Sequence, residues 1–173
     1  ANIDLKSFDD GFYRRYCGGR LAPVLETLEY VAAHTSTWLE VTTLLIPGLN
    51  DSPAEVSALS AWVAERLGPA TPLHLSAFHP AYRMTDRPPT PAAALREARR
   101  LAGAAGLRFV YTGNVDDPEG QSTSCPACGA LLIGRDRYRL TGWGMDPGGR
   151  CTACGAVCPG VFAGSPGAPA AGG

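Results

Sequence analysis

Four of the six cysteines fall into two pairs with the spacing of a metal site. Cys125 and Cys128 form one C-x2-C pair, Cys151 and Cys154 form another, and 22 residues separate the pairs. A glycine follows each pair, and glycine tolerates the positive φ that lets backbone N–H groups turn toward the sulfurs. This spacing predicts a structural four-cysteine zinc site in a small, β-rich, zinc-ribbon-like module.

Three alternatives to this zinc site remain at the level of sequence. Two disulfides would use the same cysteines, although no secretory signal is visible and cytoplasmic proteins rarely contain disulfides. A rubredoxin-like iron site would also use them, because a tetrahedral all-sulfur site suits both metals. Cys158 could join Cys151 and Cys154 in a cluster, but we predict that Cys158 and Cys17 are buried apolar cysteines.

The residues before the cysteine-rich module have the pattern of an α/β protein. Four segments have the composition of strands, at residues 2–8, 38–46, 72–78 and 107–111, and helical patterns separate them. Strands that alternate with helices of about 10–15 residues are typical of βαβ units on a parallel sheet. Because a complete (β/α)8 barrel needs eight strands and about 250 residues, this segment has the size of half such a fold.

The helix after the second strand has strong boundary signals. Ser52 is predicted to be the N-cap, Pro53 the first helical residue and Glu55 the reciprocal partner of Ser52 in a capping box. Gly68 follows the last apolar position and is expected to end the helix.

Polar residues recur where the predicted strands end. Asp4 and Lys6 end the first strand, and His79 follows the third. Ligands of parallel α/β sheets bind beyond the carboxyl ends of the strands. Alternating positions on successive strands are also polar and predict a face that lines a cavity: Asn2, Asp4 and Lys6, then Glu40 and Thr42, then His74 and Ser76.

Several segments, taken in order, resemble the C-terminal part of the AmmeMemoRadiSam-system radical SAM enzymes, relatives of the glycyl-radical-enzyme activases. They are NIDLKSF, YCGGRLAPVLETL, WLEVTTLLIPGLND, LHLSAFHPAYRM, YTGNV, CPACGALLIGRDRYRL and CTACGAVCPGVF. The resemblance implies an α/β fold: the C-terminal half of a partial TIM-type (β/α) barrel at residues 1–113, a linker at 114–122 and a zinc-ribbon-like module at 123–162. The composition of residues 163–173 predicts a disordered tail.

The resemblance also implies a cofactor site. In the activase relatives, the D-x-K of this strand and a histidine after a later strand contact S-adenosylmethionine, and by position these are Asp4, Lys6 and His79. The family's C-x3-C-x2-C motif, which binds a [4Fe–4S] cluster, does not occur here. We therefore expect the cluster ligands to precede Ala1, and this chain to be an inactive C-terminal part of an enzyme that cleaves S-adenosylmethionine reductively to a 5′-deoxyadenosyl radical.

Composition and context limit the partners. A net charge of −1 and the lack of a long apolar run give no reason to expect nucleic acid or a membrane as a partner, and the expected compartment is the cytoplasm. The resemblance implies association with Memo-like and AMMECR-like proteins, but the substrate stays unassigned. The alternative is a non-enzymatic zinc-ribbon interaction module carried on an α/β half-domain.

Overall fold

A four-stranded parallel sheet organises the first part of the computed structural model, which describes residues 1–161. Its strands are β1 (Asn2–Asp4), β2 (Glu40–Leu45), β3 (Leu73–Ala77) and β4 (Val110–Gly113). They lie side by side in chain order, and each pairs in parallel with the next. The predicted parallel α/β sheet is therefore confirmed.

One or more helices follow each of these strands. They are α1 (Asp10–Phe12), α2 (Leu21–His34), α3 (Pro53–Trp62), α4 (Ala92–Ala104) and α5 (Pro118–Gln121). Two π-helical turns extend this set, Tyr13–Cys17 directly after α1 and Val63–Leu67 directly after α3. The chain divides into two compact units, the first of which is Ala1–Gly120.

One face of the parallel sheet carries the hydrophobic core of the first unit. Alternate strand residues such as Val41, Leu73 and Leu75 are almost fully buried, as the two-residue period of a strand requires. They pack in one cluster with apolar residues of α2, α3 and α4, among them Leu28 and Leu95. The intervening strand positions are half-buried or exposed, whereas most parallel sheets are covered on both faces.

The start of α3 agrees with the sequence prediction in part. Ser52 is the N-cap, and its hydroxyl accepts a hydrogen bond from the Glu55 N–H at 3.2 Å. The predicted capping box is wrong, because the Glu55 carboxylate turns away from Ser52. Its Oε1 accepts hydrogen bonds from the Phe8 N–H at 3.1 Å and from the Ser7 hydroxyl. The residues that follow β1 supply these donors. The Glu55 side chain therefore connects α3 to β1 instead of capping its own helix.

Two strand boundaries differ from the predicted ones by three residues or more. β1 ends at Asp4 rather than at residue 8, because the N–H of Phe8 bonds the Glu55 side chain instead of a neighbouring strand. The fourth strand begins at Val110 rather than at residue 107. The Leu107 N–H bonds the Ala102 carbonyl at the end of α4, so this residue still belongs to the turn that follows the helix.

The second unit, which begins at Gln121, contains a small antiparallel sheet. Its strands are β5 (Thr123–Ser124), β6 (Leu131–Asp136) and β7 (Arg139–Trp143), with β6 in the middle. β6 and β7 form a hairpin, and Arg137 has a φ of 54° in its turn. The predicted disordered tail at 163–173 lies outside the described residues.

Residues 114–122, predicted as a linker, include the short helix α5. Just before this helix, the buried Asp117 carboxylate accepts a hydrogen bond from the Thr112 hydroxyl at 2.9 Å. Among residues 1–161, no helix is both long enough and apolar enough to cross a membrane.

Candidate functional site

The four paired cysteines lie on two turns with the same backbone hydrogen bonds. In the first turn, the Gly129 N–H bonds the Cys125 carbonyl at 2.8 Å, and in the second the Gly155 N–H bonds the Cys151 carbonyl at the same distance. Both glycines have positive φ, 76° and 75°. Glycine adopts this conformation at no steric cost, so the glycine that follows each C-x2-C pair shapes its turn.

The sulfur atoms of the four cysteines converge in a geometry that fits one metal ion. All four Sγ atoms lie within 4.8 Å of one another. Cys125 and Cys154 are 3.7 Å apart, and Cys128 and Cys151 are 3.8 Å apart. Zn–S bonds of about 2.3 Å at tetrahedral angles separate sulfurs by about 3.8 Å, whereas a disulfide needs about 2.05 Å. The group could therefore hold a metal such as zinc, and the two-disulfide alternative does not match it.

The thiol pKa values reflect this crowding. The Ala127 N–H has the largest effect on the Cys125 thiol, and together with the Cys128 N–H it lowers the Cys125 pKa to about 7. The Ala130 N–H lowers the pKa of Cys128, but the neighbouring sulfurs and burial outweigh it and raise that pKa to about 12. A cation among the sulfurs would favour the thiolate form of Cys125 and Cys128, because metal binding requires deprotonated thiols.

Two arginines of the second unit have defined hydrogen-bond partners. Arg150 donates to the Gly155 carbonyl of the second turn at 3.3 Å. Arg135 donates instead to the Thr123 hydroxyl at 2.9 Å and to the Gln121 carbonyl. Arg150 therefore bonds directly to the second cysteine turn.

The remaining two cysteines have different environments. Cys158 is buried, as predicted, with 6% of its surface exposed, and burial raises its pKa. The prediction for Cys17 is wrong, because Cys17 is exposed. It is the last residue of the π-helical turn Tyr13–Cys17, which ends at Gly18 with a φ of 64°.

The second face of the parallel sheet carries polar side chains that contact each other across the strands. We call this face the open face, and its residues include Asn2, Glu40, Thr42, His74, Ser76 and Tyr111. The Thr42 hydroxyl donates to Asn2 Oδ1 at 2.8 Å. His74 Nε2 lies 2.7 Å from Glu40 Oε2, and the His74 ring stacks on Tyr111 with centroids 5.1 Å apart. These contacts connect all four strands.

Asp4 and Lys6 are in contact at the carboxyl end of β1. The Lys6 ammonium lies 2.7 Å from Asp4 Oδ2, and 40% of the Lys6 side chain and 51% of the Asp4 side chain are exposed. The edge of the sheet therefore presents a positive and a negative group side by side, both open to solvent.

His79 lies beyond the end of β3, two strands away from β1. Its Nε2 is 3.1 Å from the Asn114 carbonyl. The Asn114 side chain donates in turn to the Ala77 carbonyl at 3.2 Å, from a backbone with a φ of 60°. His79 is exposed and lies at the same edge of the sheet as Asp4 and Lys6. Within residues 1–161, no hydrogen bond joins His79 to either of them.

Two residues near Lys6 were not recognised as site residues from the sequence. The Tyr13 hydroxyl accepts a hydrogen bond from the Lys6 N–H at 2.9 Å. The Asn50 side chain donates to the Lys6 carbonyl at 2.6 Å. The available signal was the amide side chain of Asn50 in the loop that follows the carboxyl end of β2.

The fold and the cysteine group define an α/β protein with four converging cysteines that could hold a metal ion. No family model matches the chain. The chain is 45% identical over 155 residues to an uncharacterized protein of Methanocaldococcus jannaschii, and the alignment covers 89% of this chain and 46% of that protein. The chain therefore spans about half the length of the curated relative that it matches.

The fold is also similar to that of a solved structure. It is a domain of the pyruvate-formate lyase-activating enzyme from Bacteroides vulgatus, with a TM-score of 0.56 and 18% sequence identity. The match covers 65% of this chain and 66% of that domain. At this identity the similarity establishes a shared fold and nothing about ligands.

Proposed function

We propose that this chain is the C-terminal part of a radical SAM enzyme and that the open face of its sheet forms part of an S-adenosylmethionine pocket. The observation that carries the proposal is a sequentially ordered parallel sheet with one polar face and a charged pair at its carboxyl edge. Successive strands of a (β/α) barrel have this order, and barrel ligands bind at this edge. The fold shared with an activating-enzyme domain also supports it.

The charged pair at the end of β1 suits the amino-acid end of S-adenosylmethionine. The Lys6 ammonium would bind the methionine carboxylate through charge-assisted hydrogen bonds, and the Asp4 carboxylate would accept from the methionine ammonium. His79, which already uses Nε2 for the Asn114 carbonyl, would hydrogen-bond the ribose or adenine through its other ring nitrogen. These three residues bind and orient the cofactor.

The full-length protein would supply the parts that this chain lacks. A [4Fe–4S] cluster, bound through a C-x3-C-x2-C motif that does not occur in these residues, would provide the electron that cleaves S-adenosylmethionine to a 5′-deoxyadenosyl radical. The four parallel strands of this chain would form one half of a partial TIM-type barrel, and the rest of the full-length protein would form the other half.

The four-cysteine group is proposed to be a structural zinc site. Cys125, Cys128, Cys151 and Cys154 would supply all four ligands of a tetrahedral ion. Because four protein ligands leave no open coordination position, this ion would stabilise the second unit and would take no part in the reaction.

Equilibrium binding of S-adenosylmethionine tests the cofactor proposal. We expect saturable binding to the chain, weakened about tenfold or more by Lys6→Gln, since loss of a charge-assisted contact costs about 1.4 kcal/mol or more. Arg66→Gln is the matched control, because it removes one positive charge that pairs with Glu29 on the helical side. Absence of saturable binding, or equal effects of the two variants, would overturn the proposal.

A further inference from the structure

Lys6 is the only lysine in the 173-residue chain, which contains 14 arginines. Arginine and lysine are not equivalent at a ligand site, because lysine presents a compact point charge on a flexible four-carbon stem. A flexible side chain places its ammonium reproducibly only if the backbone of the same residue is fixed. The way in which the structure holds the Lys6 backbone therefore bears directly on what its ammonium can do.

The sheet itself does not hold the Lys6 backbone. The last ladder hydrogen bond of β1 runs from the Leu5 N–H to the Thr42 carbonyl, at 2.9 Å. At Lys6, side chains from other parts of the chain replace the ladder. The Tyr13 hydroxyl accepts from its N–H at 2.9 Å, and the Asn50 amide donates to its carbonyl at 2.6 Å.

Both of these side chains are themselves rigidly placed. Asn50 is 2% exposed, and it also donates to the Leu44 carbonyl at 2.9 Å and accepts from the Ile46 N–H at 2.7 Å. Tyr13 is 4% exposed, and burial raises the pKa of its hydroxyl. A buried, neutral tyrosine and a fully bonded asparagine thus fix the Lys6 backbone from both sides.

We propose that Tyr13 and Asn50 are positioning residues that aim the Lys6 ammonium at the carboxylate of the bound ligand. The proposal rests on the proposed function, because that function supplies the carboxylate. Because the backbone is already fixed, Lys6 loses less conformational entropy on binding than a lysine with a mobile backbone would. Neither residue needs to touch the ligand.

The ligand experiment compares S-adenosylmethionine with its decarboxylated analogue by calorimetry. In Tyr13→Phe and Asn50→Ala, we expect the affinity for S-adenosylmethionine to fall about fivefold and that for the analogue to change by less than about twofold. Tyr16→Phe is the control, because Tyr16 lies in the same π-helical turn but is 37% exposed. Equal losses for both ligands would mean a merely structural role and would overturn the proposal.

A second measurement needs no ligand. Because the chain has one lysine, labelling with 15N-lysine gives a single backbone amide signal, from Lys6. Tyr13→Phe should raise the hydrogen-exchange rate of this amide about tenfold or more, and Tyr16→Phe should leave it unchanged. If the wild-type chain binds neither ligand, the proposed function fails, whereas an unchanged exchange rate in Tyr13→Phe would overturn the positioning role itself.

Discussion

Nε2 of His74 lies 2.7 Å from Oε2 of Glu40, which joins the middle two strands of the parallel sheet on its open face. Both side chains are about one-third exposed. This hydrogen bond is the largest cause of a lowered Glu40 pKa, and the Trp38 indole N–H contributes in the same direction. The ionised form of Glu40 is therefore favoured by folding.

This contact predicts a loss of stability in acid. A carboxyl group whose pKa is lower in the folded than in the unfolded state contributes stability above the unfolded value, here near 4.5, and loses it as pH falls through the folded value. We expect Glu40→Gln to flatten the decline of the unfolding free energy between about pH 5 and pH 3, measured by urea titration. Glu119→Gln, with a side chain 87% exposed, is the control. An unchanged slope in Glu40→Gln would contradict the prediction.

The four-cysteine group predicts about one zinc ion per chain after gentle desalting, measured by elemental analysis. Cys151→Ser should reduce the bound zinc to near zero, because Cys151 is buried and supplies one of four converging sulfurs. Cys17→Ser, at an exposed position, should leave the metal content unchanged. A chain without stoichiometric zinc or iron, or a Cys151→Ser variant that keeps its metal, would contradict this.

Features encoded by neighbouring residues could be predicted from the sequence. The two cysteine turns depend on C-x2-C-G segments, and each closes through hydrogen bonds within a few residues. The Ser52 cap is equally local, since its hydroxyl bonds the N–H three positions later. The parallel sheet was predictable because alternating strands and helices have few other ways to bury their apolar faces.

Features that depend on distant partners could not be predicted. Glu55 was expected to bond Ser52, but its carboxylate finds the Phe8 N–H, 47 positions away in the chain. Asn50 reaches the Lys6 carbonyl across 44 positions. A polar side chain forms a hydrogen bond with the partner that the fold brings closest. A single sequence does not show which distant residue that partner is.

Gly120 predicts a sharp intolerance to a small substitution. A Cβ atom there would lie 2.0 Å from Thr112 Oγ1 and 2.4 Å from Asp117 Oδ2, and these two atoms form a buried hydrogen bond. We expect Gly120→Ala to lower the unfolding free energy by about 2–3 kcal/mol, since overpacking and a broken buried hydrogen bond combine. Denaturant titration measures this loss.

Gly103→Ala is the matched control for this prediction. Gly103 lies in α4, and nothing stands within 4 Å of the position that its Cβ would occupy. Alanine in a helix is more favourable than glycine by about 0.5–1 kcal/mol, so the control should gain stability. If both alanine variants changed stability in the same direction, the steric account of Gly120 would be wrong.

The contact of Glu55 with the chain after β1 predicts that this carboxylate stabilises the first unit more than a surface acid does. Glu55→Ala would leave the Phe8 N–H and the hydroxyl of the fully buried Ser7 without this acceptor. Each unsatisfied polar group costs about 1–3 kcal/mol, so we expect a loss of about 2–4 kcal/mol in chemical unfolding. Glu55→Gln keeps an acceptor oxygen and should lose about half as much. Glu26 is an exposed acid in α2, so Glu26→Ala should change stability by less than about 0.5 kcal/mol. An equal loss in Glu55→Ala and Glu26→Ala would show that the link between β1 and α3 contributes nothing to stability.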